Sequence, residues 1–197
     1  MAEAESESLR RVLLLAGDCE VRGSMATTLR LAECLPGHGY DSLVVCSSAR
    51  RLSAEVRREL TVLEFPGLTT RVVGRLVRRL VSREFAASPP DVVHAQTLRL
   101  APLGSWLAAA WGRPLVVSVH EVLRGCKRPV IPGSAHKVLA VSEAVREALV
   151  EGQESIAERV VVVPAGVDPP EVARLVSVLE PDHVPSVGTA GPLEAVK

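Results

Sequence analysis

Aromatic residues and long apolar runs are both scarce in this sequence. Aromatic side chains make up 3% of the 197 residues, although hydrophobic residues in total reach 47%. Valine, leucine and alanine must therefore build the core, and their share is typical of globular domains. No apolar run approaches the roughly 20 residues of a membrane-spanning helix, and the polar, acidic start MAEAESESLR lacks the pattern of a secretory signal. We therefore expect a cytoplasmic protein.

An excess of one charge is absent as well, because 23 basic residues balance 23 acidic ones. This balance argues against nucleic-acid binding driven by overall basicity. The cysteines are scattered and form no CxxC pair, which favours reduced, mostly buried thiols over metal ligands. They are Cys19, Cys34, Cys46 and Cys126. We expect no metal site.

Short runs of apolar, mostly β-branched residues alternate with stretches of helical character along most of the chain. The clearest unit spans residues 91–121, where DVVHAQ and RPLVVSVHE flank a stretch long enough for a crossover helix. This alternation predicts an α/β fold, namely a Rossmann-like, doubly wound parallel sheet with helices on both faces. We expect a disordered tail at residues 1–10, one domain at residues 11–176, and a linker with the first strand and loop of another domain at residues 177–197.

Polar side chains stand near the carboxyl ends of the two strands in this central unit. His94 and Gln96 follow the first strand, and Ser118, His120 and Glu121 close the second. In open α/β sheets, ligands bind in the crevice at the carboxyl ends of the strands. Two histidines at equivalent places on successive strands therefore predict a binding site. The alternative is that both are structural residues with satisfied hydrogen bonds.

A glycine and a serine, Gly23 and Ser24, precede the first predicted helix. A glycine there lets the backbone approach a ligand closely, and the free N–H groups at a helix start can hold a phosphate. The segment matches neither a GxGxxG nor a Walker motif. The alternative is a plain connection in which Ser24 is the N-cap. The helix itself is indicated by apolar residues at helical spacing, which are Met25, Leu29, Ala32 and Leu35.

The stretch from residue 71 to residue 85 predicts a helix with one basic stripe. Nine arginines and three glutamates lie between residues 50 and 83, a local excess that the neutral total hides. The arginines of the stripe are Arg71, Arg75, Arg78 and Arg79. The apolar residues expected on the other face are Val72, Val73, Leu76, Val77 and Leu80. The stripe is either a solvated helix face, or a surface for an anionic acceptor or for peripheral contact with the acidic inner face of a membrane.

Five segments carry a likeness to a known family, and they are DVVHAQ, PLVVSVHE, KVLAVSEAVREAL, ERVVVVPAGVDP and GTAGPLEAVK. They resemble DVVHAH, PLVVTVHD, VSEAVRE, VIPNGVD and GRLxxxKG of the retaining GT-B glycosyltransferases of family 4, which include phosphatidylinositol mannosyltransferases and sucrose-phosphate synthases. The segments occur in the family's order, and the likeness extends from Arg11 to Lys197.

The resemblance implies a retaining, hexosyltransferase-like enzyme that moves a sugar from a nucleotide-sugar donor to a hydroxyl of a sugar, lipid or small-molecule acceptor. It implies no metal and no further cofactor, because Arg and Lys side chains of the family's second domain stabilise the departing diphosphate. That donor domain, with its Glu-x7-Glu segment, would follow Lys197. We therefore expect this chain to be the N-terminal, acceptor-side half, cut at the start of the donor domain and inactive by itself.

The resemblance also implies roles for single residues. Gly23 and Ser24 would face the donor phosphates and sugar, and His120 would line the reaction centre, where it could donate hydrogen bonds to the transferred sugar. His94 and Gln96 would flank the acceptor side.

Further substrate-binding candidates are Glu121 at the strand end, Ser142 at a helix start, and Arg146 on the helix bordering the cleft. Lys197 matches the family's diphosphate-binding lysine. The chain departs from the family at Gln96, where a second histidine is usual. It departs again at Ala165, which replaces the Asn of NGVD, and at Pro192, which replaces an Arg that neutralises the diphosphate.

Two other functions remain open at this point. A nucleotide-sugar epimerase on the same scaffold would need paired carboxylates, for which the candidates are Asp18, Glu20 and Glu121. A free-standing α/β binding module without catalytic activity would keep the sheet and need no donor domain.

Overall fold

Seven parallel strands form one sheet in the computed structural model, which describes residues 9–17, 23–70, 74–121, 130–151 and 153–166. The strands are β1 (Arg10–Leu15), β2 (Tyr40–Cys46), β3 (Thr61–Glu64), β4 (Val92–Ala95), β5 (Leu115–Val119), β6 (Ala135–Ala140) and β7 (Val160–Val162). Their order across the sheet is β3-β2-β1-β4-β5-β6-β7, and every pair is parallel. The predicted fold class, a doubly wound parallel sheet, is confirmed.

Five α-helices lie within the described residues and connect these strands. They are α1 (Ser24–Cys34), α2 (Ala54–Glu59), α3 (Gly74–Glu84), α4 (Ala101–Trp111) and α5 (Glu143–Val150), with 3₁₀ turns at Leu35–His38, Leu98–Leu100 and Glu154–Arg159. Buried residues of α1 join one apolar cluster, to which α2 adds a partly buried valine, and buried residues of α3, α4 and α5 join another. Helices therefore cover both faces of the sheet.

The packing of the central strand β1 explains why its own sequence is one continuous apolar run. Leu13 and Leu15 belong to the cluster that holds α3, α4 and α5, whereas Val12 and Leu14 belong to the cluster that holds α1. Successive side chains of a strand point to opposite faces, so a strand covered on both faces must be apolar at every position. On the α4 side, Gly104 allows close packing, because a Cβ there would lie 2.9 Å from Cδ1 of Leu115.

The structure corrects the expectations for the tail and the first helix. Arg10 lies in β1 and pairs with Tyr40, so the predicted tail at residues 1–10 extends one residue too far. The N-cap of α1 is Gly23, with φ 45° and ψ −112°, rather than Ser24. Glycine adopts a positive φ more readily than other residues do, which explains why a glycine occupies this turn. The predicted apolar residues of the helix, including Met25, Leu29 and Ala32, are buried as expected.

The predicted apolar face of α3 was partly wrong. Val77 and Val81 are buried, but Leu76 is 60% exposed and Leu80 is 45% exposed. The apolar positions of this stretch cover a wider arc than the core can reach, and packing selects Val77, Val81 and then Phe85, four residues apart. Of the cysteines that the structure describes, Cys46 is buried and Cys34 is exposed.

Several predictions fall outside the described residues. They concern the tail up to residue 8, Arg71, Val72, Val73, and the helix, strand and loop expected beyond residue 166. The described residues also exclude Lys197, Pro192, Asp18 and Glu20.

Candidate functional site

The order of the strands places a crevice at the centre of the sheet. From β1 the chain winds outward through β2 and β3, then returns to the other side of β1 with β4 and winds outward again through β5, β6 and β7. In open α/β sheets, ligands bind outside the carboxyl ends of the strands where the winding reverses. The relevant residues are therefore those that follow β1, β4 and β5.

Unsatisfied polar groups concentrate at this edge. Three buried side-chain atoms of the described residues have no hydrogen-bond partner, and they are Oγ of Ser47, Nε2 of Gln96 and Nε2 of His120. Each of these residues comes directly after the last residue of a strand, β2, β4 or β5. A buried polar group without a partner destabilises a protein by about 1–3 kcal/mol. Such groups at one edge of the sheet indicate hydrogen-bonding positions for a ligand.

Gln96 is held by its oxygen, and its nitrogen remains available. The residue is 2% exposed, and Oε1 accepts a hydrogen bond of 3.2 Å from Oγ1 of Thr28 on α1. The backbone N–H of Gln96 donates to the carbonyl of Leu15, which ties the end of β4 to β1. With Oε1 oriented by Thr28, the Nε2 amide group is a fixed hydrogen-bond donor at the edge of the sheet.

His120 has a ring that is half-buried and neutral at pH 7. Burial lowers its pKa below the ordinary value, although a hydrogen bond to the Gln96 backbone and the negative charge of Glu121 raise it in part. A backbone group that raises the pKa of a histidine is an acceptor, namely the carbonyl. Nε2 has no hydrogen-bond partner. In a neutral imidazole one ring nitrogen donates and the other accepts, so Nε2 is a donor or an acceptor according to the tautomer.

His94 lies in a different environment. It is a residue of β4 itself rather than of the following loop, it is 6% exposed, and its Nε2 is 2.8 Å from Oγ of Ser118 in β5. Burial lowers its pKa to about 4, and the neighbouring His120 contributes to this shift. The two histidines are therefore close in space but not in equivalent positions. The partner that His94 has within the sheet matches the structural alternative considered for it.

Three cavities surround this edge and share one arginine. The His120 cavity, of about 490 Å³, is lined by Thr97, Leu98, Arg99, Ser118, Val119, His120 and Glu121. The Gln96 cavity, of about 310 Å³, is lined by Ala16, Gly17, Met25, Thr28, Thr69, Gln96, Thr97, Arg99 and Glu121. A third cavity, of about 850 Å³, extends from Arg99 towards α3. Arg99 lines all three, and Thr97 and Glu121 line the first two, so the His120 and Gln96 cavities are neighbours.

The structure brings together only some of the predicted site residues. Gln96, His120 and Glu121 line the two neighbouring cavities. Gly23 lies at the start of α1 and lines none of the three. Ser142 is the N-cap of α5, where its Oγ accepts a hydrogen bond of 3.3 Å from the N–H of Val145.

Arg146 also lines none of these cavities. Its Nη1 lies 3.7 Å from Oε2 of Glu143, one turn earlier on α5, and both side chains are largely exposed.

Three residues of these cavities were not predicted from the sequence, namely Thr28, Thr97 and Arg99. The sequence expectation placed Thr97 and Arg99 inside the crossover helix, whereas α4 begins only at Ala101 and residues 98–100 form a 3₁₀ turn. Pro102 was an available signal, because proline favours the first turn of a helix. It would have moved the helix start and left Arg99 at the edge of the sheet.

The described residues hold no group of three or more His, Cys, Asp or Glu side chains that could bind a metal ion. Over the same residues, no helix has the length and apolar character required to cross a membrane.

Solved structures with the same fold are glycosyltransferases and related enzymes. HepE (Alr3699) from Anabaena, in complex with UDP and glucose, has a TM-score of 0.66 at 19% identity over 81% of this chain and 45% of that one. A glycosyltransferase from Rickettsia africae ESF-5 has a TM-score of 0.63 at 22% identity over 81% of this chain and 44% of that one. A UDP-N-acetylglucosamine 2-epimerase is more distant, with a TM-score of 0.53 at 18% identity, over 78% of this chain and 47% of that one.

The chain spans less than half the length of these structures, and at such identities the likeness shows the fold alone. No curated protein matches the sequence. The profile of the family described as Glycosyltransferase Family 4 matches residues 21–171, which is most of the chain and includes β2 to β7 with the site at their carboxyl ends. This protein therefore belongs to glycosyltransferase family 4, on a GT-B type α/β domain.

Proposed function

We propose that this chain is the acceptor-side half of a retaining glycosyltransferase that moves a sugar from a nucleotide-sugar donor to an acceptor hydroxyl. Its family membership supports sugar transfer, and the UDP and glucose bound to HepE support a nucleotide-sugar donor. The chain covers 45% of HepE, and we propose that the donor nucleotide binds to a second half.

The observation that carries the proposal is the pair of unpartnered groups after β4 and β5. Nε2 of Gln96 is a hydrogen-bond donor, Nε2 of His120 donates or accepts according to its tautomer, and both are buried beside neighbouring cavities. A hydroxyl group both donates and accepts, so hydroxyls of the two substrates satisfy both atoms. His120 forms a hydrogen bond with a hydroxyl of the transferred sugar, and Gln96 donates to the acceptor.

The difficult part of the reaction is the negative charge that develops on the departing diphosphate. Cationic side chains and helix N-termini placed at these oxygens would supply the largest stabilisation. Gly23 and Ser24 at the start of α1, and Lys197, are proposed to face the donor diphosphate, while Glu121, Ser142 and Arg146 border the substrates. Closure of the two halves would exclude water and protect the activated sugar from hydrolysis. The isolated chain is therefore inactive, and no metal takes part.

A membrane contact belongs to the same proposal. Leu76 and Leu80 are exposed on α3 beside Arg75 and Arg79, an arrangement that suits an anionic membrane surface. Sedimentation with vesicles of anionic lipid is expected to depend on both leucines. If replacing Leu76 and Leu80 with serine leaves vesicle binding unchanged, the contact is not made by this helix.

The first experiment is to sequence the coding frame beyond Lys197 and express the protein that it encodes. A further domain of about 200 residues that carries a Glu-x7-Glu segment is expected. Incubation with UDP-sugars and an acceptor panel would then measure transfer, and NMR of the product would show whether the anomeric configuration is retained. A stop codon directly after Lys197 would overturn the proposal, as would an inverted product or epimerisation without an acceptor.

The role of His120 has its own test in that longer protein. We expect His120→Ala to lower kcat/KM for transfer by about 100-fold, because a hydrogen bond used in the transition state is lost. His38→Ala is the matched control, since His38 is exposed in the 3₁₀ turn that precedes the amino end of β2. Equal activity of the two variants would show that His120 does not take part at the reaction centre.

A further inference from the structure

The largest of the three cavities lies between α3 and the start of α4. It has a volume of about 850 Å³, and we call it the arginine cavity after the three side chains that line it, Arg75, Arg78 and Arg99. Arg75 and Arg78 come from the first turns of α3, whereas Arg99 comes from the 3₁₀ turn after β4. Elements separated in the chain therefore bring three guanidinium groups to one space.

The charge in this cavity is not balanced by the residues that surround it. The described residues that line it include no aspartate and no glutamate. Across the described parts of the chain, Arg75 and Arg78 have no ion-pair partner, whereas Arg57, Arg113 and Arg146 each have a carboxylate within 4.0 Å. Nη2 of Arg99 donates to the carbonyl of Thr69 over 3.1 Å, which orients this guanidinium at the cavity wall. An anion would complement this set of charges, since guanidinium groups bind phosphate and carboxylate oxygens in pairs.

The arginine cavity adjoins the candidate reaction centre. Leu98 and Arg99 line both this cavity and the His120 cavity, and Thr69 and Arg99 connect it with the Gln96 cavity. A ligand with its reacting hydroxyl beside His120 would therefore extend along Arg99 towards α3. Much of the remaining wall is apolar, through Leu68, Leu98, Leu100, Pro102, Leu103 and Val130. The apolar wall continues to solvent, because Val130 is 84% exposed.

We infer that the acceptor of this enzyme carries an anionic group, a phosphate or a carboxylate, which Arg75, Arg78 and Arg99 bind while its reacting hydroxyl lies beside His120. The inference rests on the proposed function and names the class of its acceptor. It also gives a role to two arginines of the α3 stripe, Arg75 and Arg78, because both line this cavity. The apolar wall accommodates a hydrocarbon portion next to the anionic group.

Phosphate binding can be measured on the 197-residue chain without any sugar transfer. An NMR titration with phenyl phosphate is expected to shift the amide signals of α3 and of residues 97–100, with an affinity that falls as sodium chloride is raised. Benzyl alcohol, which lacks the charge, is expected to leave these signals in place at the same concentrations. A second titration uses short-chain dihexanoyl phosphatidic acid. If this lipid binds more tightly than phenyl phosphate, the anionic group of the natural acceptor belongs to a lipid headgroup rather than to a soluble phosphate.

The variant Arg75→Gln/Arg78→Gln is expected to weaken phenyl phosphate binding at least tenfold, because charge-assisted hydrogen bonds are lost. Arg83→Gln is the matched control, since Arg83 lies in the last turn of α3 and does not line the cavity. A spectrum with native dispersion would show that the double variant still folds.

Equal affinities of the double variant and the control would overturn the inference, and so would an absence of binding by the native chain. Transfer by the longer protein is a separate measurement, so either proposal can fail while the other holds. If sugar transfer is found without phosphate binding here, only the anionic acceptor is excluded.

Discussion

The ends of β4 and β5 carry one histidine each, and the two histidines differ in almost every respect. His94 is the third of the four residues of β4, whereas His120 follows the last residue of β5. In the parallel register His94 lies opposite Val116, and Gln96 is the residue that directly follows β4 as His120 directly follows β5. His94 has a partner at 2.8 Å in Ser118, while Nε2 of Gln96 and of His120 have none.

This difference shows that position relative to the strand end separates a structural histidine from a candidate ligand contact. A side chain inside a central strand points into the layer between sheet and helices, where its hydrogen bonds must be completed by the protein. A side chain one residue beyond the strand can leave a group for a ligand. Variants of His94, His120 and Gln96 test this distinction.

The largest effect is expected from His94→Ala. We expect the variant to lower the free energy of unfolding by about 3–4 kcal/mol, because it leaves a cavity in the sheet and removes the partner of the Ser118 hydroxyl. Urea denaturation of the 197-residue chain at pH 7 measures this loss. His120→Ala is the matched variant and is expected to change stability by less than about 1 kcal/mol. Similar losses in both would contradict the distinction between the two histidines.

A pH dependence of nearly the same size follows from the pKa of His94. The pKa is about 4 in the folded protein against 6.5 in the unfolded chain, so the unfolded state binds protons more readily. The contribution of His94 to the free energy of unfolding is fully present above pH 6.5 and decreases as the pH falls towards 4. At pH 4 about 3 kcal/mol of it is lost.

Comparison with His94→Gln isolates this contribution, because the carboxylates titrate in both proteins. The stability difference between native protein and variant is expected to shrink by about 3 kcal/mol between pH 7 and pH 4. Parallel pH profiles would show that the ring of His94 titrates normally in the folded state.

The smallest effect is expected at the end of β4. Gln96→Met removes the unpartnered donor together with the 3.2 Å bond from Thr28, so the two contributions largely offset each other. We expect the free energy of unfolding to stay unchanged or to rise by up to about 1 kcal/mol. Thermal or urea denaturation measures it.

Gln153→Met is a useful contrast, since Nε2 of Gln153 donates to the carbonyl of Leu149 over 3.3 Å. This variant is expected to lose about 1 kcal/mol. If Gln96→Met proves clearly more destabilising than Gln153→Met, the amide of Gln96 has a structural partner within the protein.

The sequence was sufficient for the fold and for the edge of the sheet that holds the site. Runs such as Arg11–Gly17 and DVVHAQ predicted strands buried on both faces, and the doubly wound sheet follows from their alternation with helices. Gln96, His120 and Glu121 were found because polar residues that end apolar strands are visible as a local pattern. Ser142 was placed at a helix start from the sequence, and it is the N-cap of α5.

Other features could not be predicted from the chain alone. The sequence shows His94, Gln96 and His120 only as residues near two strand ends. One residue of uncertainty in a strand boundary exchanges an internal for an external side chain. The exposure of Leu76 and Leu80 depends on which side of α3 faces the core, which its neighbours decide.

Local patterns of apolar and polar residues were therefore enough to give the class of fold, its family and the edge of the sheet that carries the site. Tertiary contacts were needed to show that His94 is satisfied by Ser118, that His120 and Gln96 keep open hydrogen-bonding groups, and that Arg99 joins the arginines of α3 around one cavity. These relations join residues far apart in the chain, and the packing of the sheet against its helices creates them.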